Sequence, residues 1–143
     1  MAALTVTAAD VQRAIAQLGL PGSSMELGRF GATVTAGQAL YRDSTDAYDL
    51  KLAIATSAAA AAVYGISLNG GADGQPAEIL RAGLYAPGAT VVVGMVYCVS
   101  AAAAGSIVPY SDLVSTNYVS FIGVGITAAL IYVNFTVSGI AKP

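Results

Sequence analysis

The chain has 143 residues, among them no histidine, no tryptophan and few charged side chains. Histidine is the commonest general base near neutral pH and the commonest metal ligand, so its absence weighs against both catalysis and a metal site. No glycine-flanked nucleophile motif of the Gly-x-Ser-x-Gly kind occurs either. These absences predict a protein that is not an enzyme and that needs no cofactor or metal.

Cysteine is nearly absent as well, since Cys98 is the one cysteine of the chain. A single cysteine cannot form an internal disulfide, which excludes the disulfide framework of small secreted domains. Cys98 lies among apolar residues, and we expect it to behave as a small buried hydrophobic side chain.

Charged residues make up 10% of the chain, against about 25% in a typical soluble domain. They are also unevenly distributed, because the stretch from Leu84 to Pro143 contains two of them, Asp112 and Lys142. The six basic residues are scattered and outnumbered by eight acids, which argues against nucleic-acid binding through a basic patch. A surface this poor in charge is typical of one that is covered by a membrane or by another protein.

Residues 90–108 and 121–137 are the candidate spans of a small membrane protein, because each is apolar and uncharged. The first of these segments is rich in β-branched residues, lacks leucine and is interrupted by glycine and serine, so its helix propensity is poor. No cluster of basic residues flanks it, and the N-terminal residues do not have the pattern of a signal peptide. These features favour a soluble protein, with the membrane protein kept as an alternative.

An internal repeat is the strongest pattern in the chain. The phrase Gly-Ala-Thr-Val occurs twice, each time followed by a second glycine, a tyrosine and later an apolar stretch around a third glycine. We interpret these shared glycines as turn formers: Gly31, Gly37 and Gly65 in the first copy, and Gly88, Gly94 and Gly123 in the second. The repeat predicts two related halves, residues 30–83 and 87–143, within a single β domain of residues 30–143.

Short strand-like segments separated by turn signals predict an all-β fold, either a β-sandwich or a small β-barrel. The candidate strands in the later part of the chain are residues 77–80, 90–93, 96–100, 118–124 and 130–137. Residues 57–62 contain five consecutive alanines, which fit a short helical turn or a tightly packed strand entry.

Residues 1–29 differ from the rest and predict an N-terminal arm with one short α-helix. Thr7 is a candidate N-cap, and the apolar side chains Val11, Ile15 and Leu18 fall on one helical face. Three turns are too few for a stable isolated helix. We therefore expect this helix to dock on the body of the chain or on a neighbouring subunit.

Two polar segments lack the residue patterns of known ligand sites. Asp43, Asp46 and Asp49 are spaced by three residues, unlike the alternate ligands of a calcium loop, so we expect a solvated hairpin loop. Residues 69–74 are rich in glycine but lack the lysine and the serine or threonine of a phosphate-binding loop, and they predict a turn.

Several short motifs recur along the chain as turns and strand edges: residues 4–11, 34–44, 65–69 leading to 74–76, 94–100 and 138–143. In the order and spacing of these motifs the chain resembles the small decoration, or cement, proteins of tailed-bacteriophage capsids. The resemblance covers most of the chain from residue 30 onward.

The resemblance implies a compact β protein that assembles as a homotrimer or a related small oligomer. Such a protein binds the major capsid protein on the outside of a phage head and stabilises it, without contacting nucleic acid. It is located in the virion after synthesis in the cytoplasm of the bacterial host. Besides the membrane protein, a non-catalytic subunit of a larger complex remains an alternative.

Overall fold

The computed structural model describes residues 23–143. The predicted N-terminal helix, with Val11, Ile15 and Leu18, lies outside the described residues. The described part is nearly all β, which confirms the predicted fold class. Its strands form one curled, antiparallel sheet of half-barrel shape.

Within residues 23–143 the structure contains nine strands, one short α-helix and one 3-10 turn. The strands are β1 (Ser24–Arg29), β2 (Ala39–Asp43), β3 (Asp49–Leu52), β4 (Val63–Ser67), β5 (Pro76–Tyr85), β6 (Val96–Val99), β7 (Ile107–Pro109), β8 (Tyr118–Gly125) and β9 (Ile131–Ala141). The helix α1 is Ala58–Ala61, and the 3-10 turn is Tyr110–Asp112.

The pattern of strand pairing is symmetric about the centre of the sheet. The sheet runs β3-β2-β4-β5-β9-β8-β6-β7, and β1 pairs additionally with β5. If β2 to β5 are matched with β6 to β9, every pairing in one half has a counterpart in the other, and β5 and β9 meet at the centre. The pairing pattern is therefore symmetric about this central pair of strands.

The matched pairings also share their register. Leu40 of β2 lies opposite Gly65 of β4, and the register shifts immediately after Leu40. Tyr97 of β6 lies opposite Gly123 of β8, and the register shifts immediately after Tyr97. The two halves therefore have the same irregularity at corresponding places in the strand order.

The strands of the first half curl until β1 meets β3. Phe30, which follows β1, forms a parallel bridge with Leu50 of β3, and the Gly31 amide donates to the Leu50 carbonyl oxygen at 2.8 Å. Because β1 also pairs with β5, these strands enclose a small apolar core of their own. Its buried members are Phe30, Val34, Leu40, Leu50, Ala77 and Ile79.

The main core draws on both halves and lies on the other side of the first-half strands. It includes Ile66 and Leu80 from the first half and Val99 and Ile122 from the second, each no more than 1% exposed. A fully buried aliphatic side chain contributes roughly 1.5–3 kcal/mol to stability. Since the halves share this core, neither is a separate domain.

The alanine run between β3 and β4 is helical. Of the two alternatives predicted for it, a short helical turn and a tightly packed strand entry, the structure confirms the first. Ser57 caps α1, because its hydroxyl accepts a hydrogen bond from the Ala60 amide at 3.3 Å. Ala61 is buried, and its small side chain lets the helix lie close to the sheet.

One predicted strand is wrong. Residues 90–93 form a loop, in which the Val91 amide donates to the carbonyl oxygen of Ala128 and the Val92 amide to the hydroxyl of Tyr97. These bonds are directed to separate partners, so no ladder forms. Ahead of residue 30, where the sequence places the start of the β domain, β1 already pairs with β5.

The six repeat glycines do not all form turns. Gly37 and Gly94 lie in turns with φ of 91° and 81°, Gly88 lies in a bend with φ of 76°, and Gly31 lies in a bend without a positive φ. Gly65 and Gly123 instead lie within β4 and β8, where the prediction of a turn is wrong. Their role is close approach between strands: a Cβ on Gly123 would overlap the carbonyl oxygen of Tyr132.

This close approach predicts that Gly123→Ala lowers the free energy of unfolding by about 2 kcal/mol, the typical cost of overpacking a core. Gly65→Ala is the matched comparison, because its Cβ would first meet the flexible end of Ile79 at 2.9 Å. We expect a smaller loss there. Urea unfolding followed by tyrosine fluorescence measures both, and equal losses in the two variants would contradict the assignment.

Candidate interaction surfaces

Charge divides the described molecule into two unlike parts. The first half carries ion pairs between Arg29 and Asp49, between Lys51 and Asp43, and between Arg81 and Glu26. The second half carries Asp112 and Lys142 alone. The surface of the second half is therefore formed almost entirely by uncharged side chains.

The outer side of β6, β8 and β9 forms a shallow groove without a charged residue, which we call the charge-free face. The groove has a volume of about 370 Å³. Its lining residues are Val96, Phe121, Gly123, Val124, Tyr132, Asn134 and Thr136. Alternation along β9 creates this face, because Ile131 and Val133 point into the main core while Tyr132 and Asn134 point outward.

Large apolar side chains on this face are exposed. Val124 is 40% exposed and Tyr132 53%. The loop before β6 carries two further exposed valines, Val92 and Val93. Contiguous apolar surface of this kind marks protein or ligand contact sites more often than isolated exposed residues do.

The first half presents a different feature, a stack of alternating tyrosine and arginine side chains that we call the cationic stack. The Arg42 guanidinium carbon lies 5.5 Å from the ring centre of Tyr48 and 4.0 Å from that of Tyr64. The Arg81 guanidinium carbon lies 3.6 Å from the Tyr64 ring centre. These members come from β2, β4, β5 and the β2–β3 loop, so the sheet itself brings them together.

Glu26 of β1 anchors one end of the cationic stack. The Tyr64 hydroxyl donates to Glu26 Oε1 at 2.8 Å, and Arg81 Nε lies 3.4 Å from Glu26 Oε2. Arg81 also donates to the backbone carbonyl oxygen of Tyr64. Partial burial, followed by the hydrogen bond to Glu26, raises the pKa of Tyr64, so its hydroxyl stays protonated and keeps donating.

The β2–β3 loop is fixed by its own carboxylates. Lys51 Nζ donates to Asp43 Oδ2 at 2.8 Å, and the hydroxyl and amide of Thr45 donate to Asp43 Oδ1. These hydrogen bonds, that of Lys51 first, lower the pKa of Asp43 to about 2. Asp46 joins the same lysine at 3.1 Å. The predicted hairpin loop joins β2 and β3, but the prediction that its acids are solvated holds for Asp46 alone, because the side chains of Asp43 and Asp49 are 17% and 7% exposed.

Asp49 links β3 to β1. Arg29 Nε and Nη2 donate to Asp49 Oδ1 and Oδ2 at 3.0 and 2.7 Å, a bidentate pair in which the aspartate side chain is 7% exposed. The hydrogen bond from Arg29 lowers the pKa of Asp49. This pair reinforces the place where β1 and β3 meet.

The carboxylates of Glu26, Asp43, Asp46 and Asp49 are thus used in pairing, and no group of three potential metal ligands occurs among residues 23–143. Cys98 is buried in the main core, as expected, and burial raises the pKa of its thiol to about 11. The thiol is therefore protonated at neutral pH and buried away from reagents.

Sequence reasoning identified the uncharged second half but missed the cationic stack. Arg42, Tyr64 and Arg81 are far apart in the chain, and the contacts between them depend on strand order and register. These three residues occupy outward positions on adjacent strands. This pattern can be recognised in the sequence only when the pairing of the strands is known.

No described helix has the length and the apolar character needed to span a membrane. The candidate spans contain strands and loops instead: residues 90–108 include β6 and the start of β7, and residues 121–137 include parts of β8 and β9.

No protein-family model matches the chain, and comparison with curated proteins found no significant match.

The paired carboxylates predict a loss of stability in acid. Because folding lowers the pKa of Asp43 from 3.8 to about 2 and lowers that of Asp49, the native state binds protons less readily than the unfolded chain. The stabilisation is complete above about pH 4 and is lost as the pH falls toward 2. We expect the melting temperature to fall across this interval.

Asp43→Asn separates this effect from general acid denaturation. The variant should melt at a lower temperature at neutral pH and show a shallower fall between pH 4 and pH 2. Glu78→Gln is the control, since within residues 23–143 the Glu78 carboxylate makes no hydrogen bond or ion pair. An unchanged acid slope in Asp43→Asn, measured by calorimetry, would contradict the assignment.

Proposed function

We propose that this protein is a structural virion protein that decorates and stabilises a phage capsid. It binds the outside of the major capsid protein shell as a small homo-oligomer, with a homotrimer as the expected form. The sequence resemblance suggests the capsid, and the charge-free face is the structural observation that supports assembly.

The charge-free face has the composition of an assembly interface. The fully buried centre of such an interface is depleted of charge, and tyrosine is one of the residues that contribute most to binding. Tyr132 lies at the centre of this face and is half-exposed, with Val124 and Phe121 beside it. Contact with another copy removes this apolar surface from water at no cost of burying a charge.

The charged first half complements this role. Its ion pairs lie at the surface around the β2–β3 loop and the edge of β1, where they keep part of the molecule well hydrated. A decoration protein needs both kinds of surface, one for its own copies and others for the shell and the solvent. The separation of charge between the halves provides them.

Self-association is the first test. We expect the isolated protein to sediment as a small oligomer at micromolar concentration, and Tyr132→Lys to weaken association at least about 100-fold because the new ammonium group would be buried without a partner. Leu27→Lys is the control, since Leu27 is 79% exposed on β1, away from the charge-free face. Analytical ultracentrifugation measures all three proteins.

A wild-type protein that is monomeric at this concentration would contradict assembly through the charge-free face. Equal weakening by Leu27→Lys would also contradict it, because the effect would then come from charge in general. The circular dichroism spectra of the variants must match that of the wild type before the comparison is made.

Association with phage particles tests the capsid assignment separately. The protein should co-purify with particles at a copy number close to that of the capsid subunit or a simple fraction of it. Its absence from particles would contradict the proposal and favour a non-catalytic subunit of a different complex. Mass spectrometry of purified particles supplies the measurement.

A further inference from the structure

Arg42 differs from its neighbouring cations in having no acidic partner. Arg29, Lys51 and Arg81 each form an ion pair with a carboxylate. Within residues 23–143, the Arg42 guanidinium makes no hydrogen bond or ion pair, and its contacts are the rings of Tyr48 and Tyr64. We propose that Arg42, held in the cationic stack, is a binding site for a carboxylate side chain on an acidic segment of a partner protein.

The stack prepares Arg42 for this contact. A guanidinium group in cation–π contact with aromatic rings keeps N–H donors along its edge for other partners. Those donors match the two oxygens of a carboxylate in bidentate geometry. Because the rings already restrict the side chain, less conformational entropy is lost on binding than for a mobile surface arginine.

The backbone at Tyr48 supports a functional constraint. Ala47 and Tyr48 have φ of 55° and 61°, a region that is unfavourable for residues other than glycine and rare for a bulky side chain. Tyr48 is nevertheless 60% exposed, so burial of its ring does not explain the conformation. Strain of this kind concentrates at binding sites, and here it places the ring beside Arg42.

Hydrogen bonds keep this loop in place. The Tyr48 amide donates to the Asp43 carbonyl oxygen at 2.9 Å, and the Asp49 amide donates to that of Asp46 at 3.0 Å. Lys51 forms ion pairs with the side chains of both Asp43 and Asp46. The ring of Tyr48 is therefore positioned before a ligand arrives.

The surrounding charge favours a carboxylate over a phosphate chain. Arg81 is already paired with Glu26, so Arg42 is the one unpaired cation of the cationic stack, and it suits a single negative charge. Asp46, with its side chain 52% exposed in the adjacent loop, would repel a densely charged polyanion. An acidic peptide segment can place one carboxylate on Arg42 and turn its other residues away.

This inference goes beyond the proposed function and does not depend on it. The cationic stack lies on the first half and uses none of the residues of the charge-free face. The two proposals can therefore fail separately, since one concerns contact between copies and the other a contact with an acidic partner.

Nuclear magnetic resonance of the arginine Nε–H groups tests the site in the full chain. The probe is a hexaglutamate peptide with blocked ends, with hexaglutamine and inorganic phosphate as the comparison ligands. We expect a saturable shift of the Arg42 signal with hexaglutamate only. The Arg29 signal is the internal control, because that guanidinium already holds Asp49 in bidentate contact.

Two variants test the role of the stack. Arg42→Lys keeps the charge but loses the planar donors, and we expect its affinity for the peptide, followed through backbone amide shifts, to fall by more than about tenfold. Tyr48→Phe should bind as the wild type does, whereas Tyr48→Ala should bind about two- to fivefold more weakly. Backbone amide spectra that match the wild type outside the loop establish that each variant is folded.

Three results would overturn the proposal. The first is an Arg42 signal that does not move with hexaglutamate, and the second is an equal shift with inorganic phosphate, which would indicate a general anion site. The third is an equal affinity of Arg42→Lys, which would show that charge alone is recognised. Selective saturation at Arg42, with the ranking of variants given above, would support it.

Discussion

The rest of the sheet depends on the pairing of β5 with β9. Gly83 to Tyr85 of β5 lie opposite Val133 to Ile131 of β9, and this short antiparallel ladder is where the two halves join. Tyr85 is 1% exposed, so the joint is also part of the main core. Without this ladder each half would expose the apolar side chains that it buries against the other, because a half has too few strands to cover both faces of its sheet.

The two halves have the same strand order but are stabilised by different interactions. The first half encloses its small core and reinforces the meeting of β1 and β3 with the bidentate contact between Arg29 and Asp49. The second half has no such charged contact in the described structure and relies on apolar packing. Its outward side chains on β8 and β9 form the charge-free face, whereas the first half carries the ion pairs and the cationic stack.

Much of the fold could be predicted from local sequence. The strands expected at residues 96–100, 118–124 and 130–137 correspond to β6, β8 and β9, because β-branched residues and turn signals act over a few positions. Residues 90–93 have the same composition and form a loop, since their amides bond to separate partners. Composition indicates the tendency of a segment to form a strand, but it does not determine whether a neighbouring strand is there to pair with it.

What depends on register could not be predicted. Gly65 and Gly123 resemble turn glycines in sequence, yet their function is to let a neighbouring strand approach, which requires knowing that strand. The cationic stack depends on register in the same way, because Arg42, Tyr64 and Arg81 meet only across adjacent strands. The uncharged composition of the second half was visible in the sequence, whereas its arrangement as one face on β6, β8 and β9 was not.

The shortness of β7, at one end of the sheet, has a consequence for the assembly proposed above. β7 has three residues and ends at Pro109, which has no amide hydrogen to donate, and at the other end of the sheet β3 is met by Phe30. Neither end therefore offers a long row of free backbone groups on which another chain could extend the sheet. In the homo-oligomer proposed above, growth by strand addition would have no natural limit, whereas contact through side chains on a sheet face would end once the ring of copies closed.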